Sequence, residues 1–184
     1  MVINNAGVEL FGPLLEVDIE KFRLQMETNV TAVLVMCQIA GKYMIEQKSG
    51  TIVNVGSVQG VCATPWAGAY GASKFAIHGL SDALRMELRP FGVDVVVLAP
   101  GAVKSELAQK AGSFSNIEQY NDSDKSVYTA CYSDLKHRVE SPAKKSSSVE
   151  IFAKNVANQL LKRNKSRYIF LAKWSFLLPF MARW

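Results

Sequence analysis

Cysteine and histidine are scarce in this 184-residue sequence, which contains three cysteines and two histidines. Cys37, Cys62 and Cys131 have no Cys-x-x-Cys spacing, and neither histidine lies beside them. Structural metal sites need clusters of such ligands, and disulfide frameworks need paired cysteines. The sequence therefore predicts no metal site and no disulfide framework, and it favours a reducing, cytoplasmic compartment.

The sequence also lacks a long hydrophobic run and the pattern of a secretory signal peptide. The polar pair Asn4-Asn5 follows the first residue almost at once, without a basic region or an apolar stretch before it. The C-terminal segment 168–184 is interrupted by two cations and a proline. It is also shorter than the roughly 20 apolar residues that a transmembrane helix needs. We therefore expect this segment not to cross a bilayer unaided.

Acidic residues are missing from the last part of the chain. Residues 151–184 contain seven Lys or Arg and no Asp or Glu, so that residues 1–103 carry a net charge of −2 and residues 104–184 carry +7. A basic, aromatic tail favours an anionic neighbour. Two interpretations of segment 168–184 stay open, namely peripheral contact with a membrane of the endoplasmic reticulum or a lipid droplet, and a final strand that packs on the core. No nucleic-acid-binding module is recognisable, so we expect no nucleic-acid partner.

Apolar periodicity predicts helices alternating with strands. Three- and four-residue steps indicate a helix that Asp18 caps and that continues to Tyr43. The further elements are a strand over 51–55, a helix over 69–88, a strand over 93–98, a helix from Val149 and a short apolar run over 168–172. This alternation is typical of an α/β fold, here a Rossmann-like, doubly wound parallel sheet. The polar segment 105–148 is expected to be a long substrate loop with one or two helices.

Tyr70 and Lys74 form the first candidate for catalysis. On a helix, a four-residue spacing places the phenol and the ammonium on one face, where the cation can stabilise a phenolate and lower the pKa of the tyrosine. Such a tyrosine can act as a general acid or base. The sequence contains a second copy of this spacing, Tyr132 and Lys136, which has no strand beside it and is expected to be a surface pair.

Further candidates lie where predicted strands end. Ser57 follows the strand over 51–55, Pro100-Gly101 follows the next strand, and Asn5-Ala6-Gly7 follows an apolar start. Open α/β sheets bind their ligands at the carboxyl ends of the strands. Asn29 lies on the apolar stripe of the first helix, where an amide is costly unless it is hydrogen-bonded. These features converge on one edge of one sheet.

In this order and spacing, the residues resemble the short-chain dehydrogenase/reductase family over residues 1–172, with 173–184 left as an apolar, basic tail. The resemblance implies that Tyr70 exchanges a proton with the substrate oxygen, Ser57 hydrogen-bonds that oxygen, Lys74 holds the nicotinamide ribose, and Asn29 carries a water in the proton relay. It also implies that the cofactor contacts, besides Tyr70 and Lys74, Asn5, Ala6, Gly7, Pro100, Gly101, Val103 and Ser105.

Within that family the sequence is similar to 1-acyldihydroxyacetone-phosphate reductases. The segments that carry this similarity are 87–93, 100–105 and 149–156. It implies reduction of the ketone of a lipid-type substrate, acyl dihydroxyacetone phosphate, to a secondary alcohol with NADPH, with NAD as the alternative cofactor. A hydroxysteroid- or retinol-type dehydrogenase is the alternative activity.

The Gly-rich turn that would hold the cofactor pyrophosphate at a helix N-terminus is absent, and Gly56–Gly60 is the only comparable turn. We therefore expect a fold that is truncated at the N-terminus. Two alternatives without catalysis follow from this expectation: a remnant that acts by dimerising through the 70–88 helix, and a peripheral lipid-binding protein.

An exposed, apolar first strand can pair with other chains. We expect the isolated chain to self-associate or to require a partner, with a homodimer as the simplest assembly. Size-exclusion chromatography with light scattering checks this expectation. A monomeric peak together with a cooperative thermal transition would contradict it.

Overall fold

A computed structural model describes residues 1–144 and 146–172 of the chain. Its four strands form one sheet in the order β1-β2-β3-β4, and all three pairings are parallel. The strands are β1 (Val2–Asn4), β2 (Gly50–Val55), β3 (Val93–Pro100) and β4 (Tyr168–Leu171). In the register of the sheet, Val53 on β2 lies between Ile3 on β1 and Val96 on β3.

Six α-helices connect or follow these strands in the described residues. They are α1 (Ile19–Met26), α2 (Ala32–Glu46), α3 (Gly68–Leu88), α4 (Glu106–Ser115), α5 (Tyr132–Lys144) and α6 (Val149–Leu160). Asp18 caps α1 as expected, because its carboxylate accepts hydrogen bonds from the N–H groups of Glu20 and Lys21. A π-helical segment, Glu27–Thr31, joins α1 to α2.

Helices cover both faces of the sheet. On one face α2 and α3 pack against the strands, with Cys37, Ile77 and Ile52 among the buried residues. On the other face α6 packs against β2, β3 and β4, where Leu160 contacts the cluster around Val53. Burial on both faces explains why β3 is almost wholly apolar. The predicted Rossmann-like, doubly wound α/β fold is confirmed.

The polar segment 105–148 contains α4 and α5, which agrees with the expectation of one or two helices. These helices enclose a third apolar cluster with the loop after β1, in which Phe11, Tyr120 and Leu135 are buried. The hydroxyl of Ser115 on α4 accepts a hydrogen bond of 2.8 Å from the N–H of Phe11. This segment is therefore anchored to the sheet edge next to β1.

The end of the described chain answers one of the questions that the sequence leaves open. Tyr168–Leu171 pairs with β3 as β4, and Ile169 is buried. For these residues the final-strand interpretation is confirmed, because their backbone groups pair with β3 and Ile169 and Leu171 pack in the apolar cluster around Val53. Residues 173–184, the predicted basic tail, lie outside the described residues. No helix of the described part is long and apolar enough to span a bilayer.

His78 on α3 supports the loop that follows β2. The N–H of Ser57 donates to His78 Nε2 at 3.5 Å, and the imidazole meets the ring of Tyr168 edge to face. A Cβ at Gly60 would lie 2.6 Å from Nε2, so glycine is required for this close approach. Burial lowers the pKa of His78 from 6.5 to about 4, because charging the ring would place a cation in the core beside Lys74.

Stability should therefore depend on His78 in mildly acidic solution. Between pH 6.5 and 4 the unfolded chain binds a proton at this position and the folded chain does not, so acid favours unfolding. Relative to His78→Gln, we expect the wild type to lose about 2 kcal/mol of unfolding free energy between pH 7 and pH 5. Urea titrations at the two pH values measure this difference.

The second histidine offers a matched control, because His137 is exposed. The unfolding free energy of His137→Gln should equal that of the wild type at both pH values. Equal pH dependence of the wild type and His78→Gln would show that His78 titrates normally in the folded protein.

Candidate active site

A cleft of about 1050 Å³ lies at the carboxyl ends of β1, β2 and β3. Parallel strands bring residues that are far apart in the sequence to this edge of the sheet. Ten of the eleven residues that the sequence analysis singles out line the cleft: Asn5, Ala6, Gly7, Ser57, Tyr70, Lys74, Pro100, Gly101, Val103 and Ser105. The eleventh, Asn29, lies behind the wall of the cleft.

Lys74 is fixed at the end of β2. Its Nζ donates a hydrogen bond of 2.8 Å to the carbonyl of Val55 and lies 5.5 Å from the centroid of the Tyr70 ring. The two side chains share one face of α3, as their four-residue spacing predicts. Burial lowers the pKa of Lys74 to about 8, and the nearby Glu9 opposes this change. One N–H of the ammonium group is used by Val55, so two donors are left for a ligand.

Tyr70 and Ser57 both line the cleft, and Ser57 lies close enough to the phenol to lower its pKa. The Ser57 hydroxyl accepts a hydrogen bond of 3.1 Å from the N–H of Gln59, which fixes its position at the start of the loop. Burial raises the pKa of Tyr70 well above its usual range, and the charge of Glu9 raises it further.

The raised Tyr70 pKa differs from the sequence-based expectation that Lys74 lowers it. The reason is that the phenol is almost fully enclosed, so the cost of burying a phenolate exceeds the help from neighbouring donors and cations. Tyr70 is consequently held in its protonated form. A protonated phenol beside a serine hydroxyl is suited to give a proton to an oxygen bound between them.

Asn29 holds the wall of the cleft and does not face it. Its Oδ1 accepts from the N–H of Val8 at 2.9 Å, and its Nδ2 donates to the carbonyl of Val8 at 2.9 Å and to Ser73 Oγ at 3.0 Å. The predicted single helix from Asp18 to Tyr43 is interrupted at this residue by the π-helical segment. Such segments are frequent at functional sites. The role of carrying a water stays a prediction.

The second Tyr–Lys copy provides a contrast. Lys136 Nζ lies 5.7 Å from the centroid of the Tyr132 ring, almost the same distance as in the first copy. The Tyr132 hydroxyl, however, donates to Glu118 at the surface, and Lys136 is exposed. The four-residue spacing alone therefore brings a lysine next to a tyrosine ring, but a catalytic site also requires the ends of the strands beside the pair.

Glu9 and Arg138 are two of the charged cleft residues that the sequence analysis missed; Glu106 and Lys110, which pair with each other, are the others. Burial raises the pKa of Glu9 to about 7. The sequence holds one signal for Glu9, which is a carboxylate set in an otherwise apolar run from Val8 to Phe11. Arg138 has no such signal, because only the fold of the 105–148 segment brings it to the cleft.

With this geometry established, comparison with known proteins is informative. The model of the family described as short chain dehydrogenase matches residues 1–116. The chain belongs to the short-chain dehydrogenase family. An NADPH-dependent 3-dehydrocapnine reductase of Ornithobacterium rhinotracheale is 34% identical over 178 residues, which are 94% of this chain and 61% of that protein. A 3-ketodihydrosphingosine reductase of Bacteroides thetaiotaomicron is 41% identical over 101 residues, or 55% of this chain and 38% of that protein.

Solved structures of the family share the fold. A short-chain dehydrogenase from Streptomyces avermitilis matches 97% of this chain and 63% of its own with a TM-score of 0.76 at 20% identity. A gluconate 5-dehydrogenase from Burkholderia cenocepacia, in complex with NADP and tartrate, matches 72% of this chain and 55% of its own with a TM-score of 0.57 at 25% identity. The chain of this short-chain dehydrogenase thus spans about four-tenths to six-tenths of the length of the two curated relatives.

The structural role of Asn29 can be tested by replacing it. Asn29→Ala removes three hydrogen bonds and leaves the N–H and the carbonyl of Val8 without their partner, so we expect a loss of about 3 kcal/mol in unfolding free energy. Urea denaturation measures the loss. Asn155→Ala, at an exposed position of α6, is the matched control and should change stability by no more than about 0.5 kcal/mol. Equal stability of the two variants would show that the hydrogen bonds of Asn29 do not stabilise the fold.

Proposed function

We propose that this short-chain dehydrogenase reduces the ketone of a lipid-type substrate to a secondary alcohol with NADPH. The observation that carries the proposal is the cleft itself, in which Tyr70, Ser57 and Lys74 lie together and Lys74 Nζ lies 5.5 Å from the centroid of the Tyr70 ring. Reduction of a carbonyl requires a proton donor at the oxygen, and the buried, protonated phenol can serve as that donor. The proposal therefore rests on the arrangement of these three side chains.

The residues of the cleft fit the nicotinamide and ribose part of the cofactor, whereas the Gly-rich turn that would hold the pyrophosphate is absent from the sequence. Lys74 offers two N–H groups for ribose hydroxyls, and Ser105, which also lines the cleft, offers a hydroxyl. Gly7 keeps the wall open, because a Cβ there would lie 3.2 Å from Asn29 Oδ1 and 3.9 Å from Lys74 Nζ. The remaining cofactor contacts would be Asn5, Ala6, Pro100, Gly101 and Val103. When bound, the cofactor supplies the hydride.

In this mechanism the chain orients the substrate and moves one proton. The Ser57 hydroxyl holds the ketone oxygen next to the Tyr70 phenol, and Tyr70 donates its proton to that oxygen as the carbonyl carbon is reduced. Lys74, anchored to Val55, then lies near the tyrosinate that forms and stabilises its negative charge. Replacement of the proton from solvent restores the site, and the water that the resemblance assigns to Asn29 belongs to this step.

NADPH is proposed over NADH on the strength of the relatives. The 3-dehydrocapnine reductase is NADPH-dependent by name, and the gluconate 5-dehydrogenase was solved with NADP.

The proposed substrate is a long-chain ketone. Apolar side chains line much of the cleft beside the catalytic residues, among them Leu107, Phe114 and Phe152. The resemblance to 1-acyldihydroxyacetone-phosphate reductases favours a phosphate-bearing ketone. A second candidate is a ketone of the sphingoid type, which the 3-ketodihydrosphingosine reductase relative favours.

We also propose that the protein is a homodimer. Large apolar side chains are exposed on α2 and α3, including Ile39, Tyr43, Phe75 and Met86. Two such helices can bury these groups against a second copy. A peripheral membrane contact through the segment 173–184 and location near the endoplasmic reticulum or a lipid droplet stay proposals that rest on its charge and aromatic residues.

The test of the proposed function compares the two Tyr–Lys pairs. Tyr70→Phe removes the proton donor, so we expect kcat for NADPH oxidation with a long-chain ketone to fall by at least about 100-fold. Tyr132→Phe makes the same chemical change at the surface and should leave kcat unchanged. A continuous assay that follows the decrease in NADPH absorbance measures kcat for both variants.

Binding separates chemistry from folding in this test. NADPH should still bind to Tyr70→Phe, measured as a change in NADPH fluorescence on titration with the protein, because the variant retains Lys74 and the loop after β1 and loses only the hydroxyl of one contact residue. A wild-type chain that neither binds nor oxidises NADPH would contradict the proposed function.

A further inference from the structure

Glu9 lines the cleft from a stretch of backbone that is held on both sides. On one side, both polar backbone groups of Val8 are bonded to Asn29, and on the other side the N–H of Leu10 donates to Gln25 Oε1 at 2.8 Å. Leu10 is also 1% exposed, so the backbone at Glu9 cannot turn away from the cleft without breaking these contacts. The position of Glu9 beside the cleft is therefore set by the fold.

The Glu9 carboxylate has no close partner among the described residues. None of them donates a hydrogen bond to it, and no described cation lies within 4 Å of it. Its charge is nevertheless felt by Tyr70, whose pKa it raises, and by Lys74 and Arg138, which face it across the cleft. A partly buried carboxylate without donors is costly, and a ligand that brings a cation removes that cost.

Arg138 is already engaged by protein groups. Its guanidinium lies 5.1 Å from the centroid of the Phe11 ring, and its Nη2 donates to the Gln59 side-chain oxygen at 2.7 Å when that amide is oriented to satisfy its neighbours. A ligand phosphate that approached Arg138 would have to compete with these contacts and would also face Glu9. Lys74 has two N–H groups left, but the proposed function assigns them to the ribose hydroxyls of the cofactor. The charged group that then still has no partner beside the catalytic residues is the Glu9 carboxylate, and a ligand that suits it carries a positive charge.

We propose that Glu9 is a specificity-determining residue that binds an ammonium group close to the reacting carbonyl, so that the preferred substrate is a long-chain amino ketone. The reduction of such a ketone rests on the proposed function, whereas the binding of an ammonium group at Glu9 does not. Glu9 and Tyr70 line the same cleft, Glu9 from the loop after β1 and Tyr70 from α3, so one ligand in that cleft can place its amine at Glu9 and its ketone at Tyr70. A charge-assisted hydrogen bond from the ammonium to a carboxylate is strong in such a partly enclosed site.

The experiment compares ligands that differ only in the amine. The binding probes are a ten-carbon 2-amino-1,3-diol and the ten-carbon 1,3-diol without nitrogen, titrated calorimetrically into the wild-type chain, Glu9→Gln and Glu87→Gln. Glu87 is an exposed carboxylate of α3 and serves as the matched control. We expect the wild type and Glu87→Gln to bind the amino diol about 10- to 100-fold more tightly than the plain diol. In Glu9→Gln this preference should be lost.

The corresponding ketones test the same preference in catalysis. The ratio of kcat/KM for the 2-amino ketone to that for the plain ketone should fall in Glu9→Gln by a similar factor. The ratio is used because Glu9 also raises the pKa of Tyr70, so the variant changes the rate with both ketones. A loss of the ratio supports specificity, whereas an equal change for both ketones would indicate only an effect on Tyr70 and overturn the proposal.

Failure of the inference and failure of the proposed function give different results. An amine preference in binding that requires Glu9, without NADPH oxidation, supports the inference and contradicts the proposed reaction. NADPH oxidation with equal use of both ketones supports the reaction and overturns the inference. Tighter binding of decyl phosphate than of the amino diol, or binding of neither diol, would also overturn it.

Discussion

The hydrogen bonds between the Asn29 side chain and the Val8 peptide are the contact on which the site depends. One amide satisfies both polar groups of a backbone unit that leaves the sheet at the end of β1, and it also reaches Ser73 on α3. The Ser73 hydroxyl in turn donates to the carbonyl of Tyr70 at 2.7 Å. Three separate elements, the β1 loop, the π-helical segment and α3, are thereby joined through a few buried atoms. A helix without the π-helical turn would rotate the amide away from this junction.

The charges of the cleft oppose one another, and their balance decides the chemistry. Burial acts against every ionised group there, so it raises the pKa values of Tyr70 and Glu9 and lowers that of Lys74. The attraction between Glu9 and Lys74 partly offsets this effect for both groups. For the phenol, Ser57 and Arg138 lower the pKa, but burial and the charge of Glu9 raise it by more. The result is a neutral proton donor placed between a cation and a titratable carboxylate.

Much of the fold and most of the site follow from the sequence alone. The apolar strands, the Asp18 cap and the four-residue step from Tyr70 to Lys74 depend on local geometry, which residue order determines directly. The strand-end rule then groups Asn5-Ala6-Gly7, Ser57 and Pro100-Gly101 at one edge, where the structure places them, and the family resemblance adds Val103 and Ser105. What the sequence does not reveal depends on enclosure: the direction of the Tyr70 pKa shift depends on how completely neighbouring elements cover the phenol. The path of the 105–148 segment decides whether Arg138 reaches the cleft, and its weak periodicity gives no indication of that path.

Chemistry and recognition usually occupy different parts of an α/β enzyme, because strand ends and helices are rigid while the loops around them vary. In this protein Ser57, Tyr70 and Lys74 follow that division, and Arg138 on α5 belongs to the variable side. Glu9 does not. It lies one residue beyond the peptide that Asn29 holds, so its backbone is held beside the cleft by the same contact that supports the catalytic residues. In the proposed amine recognition, this fixed backbone limits the part of the cleft that the carboxylate can reach, so the position of the amine on the substrate counts as well as its charge.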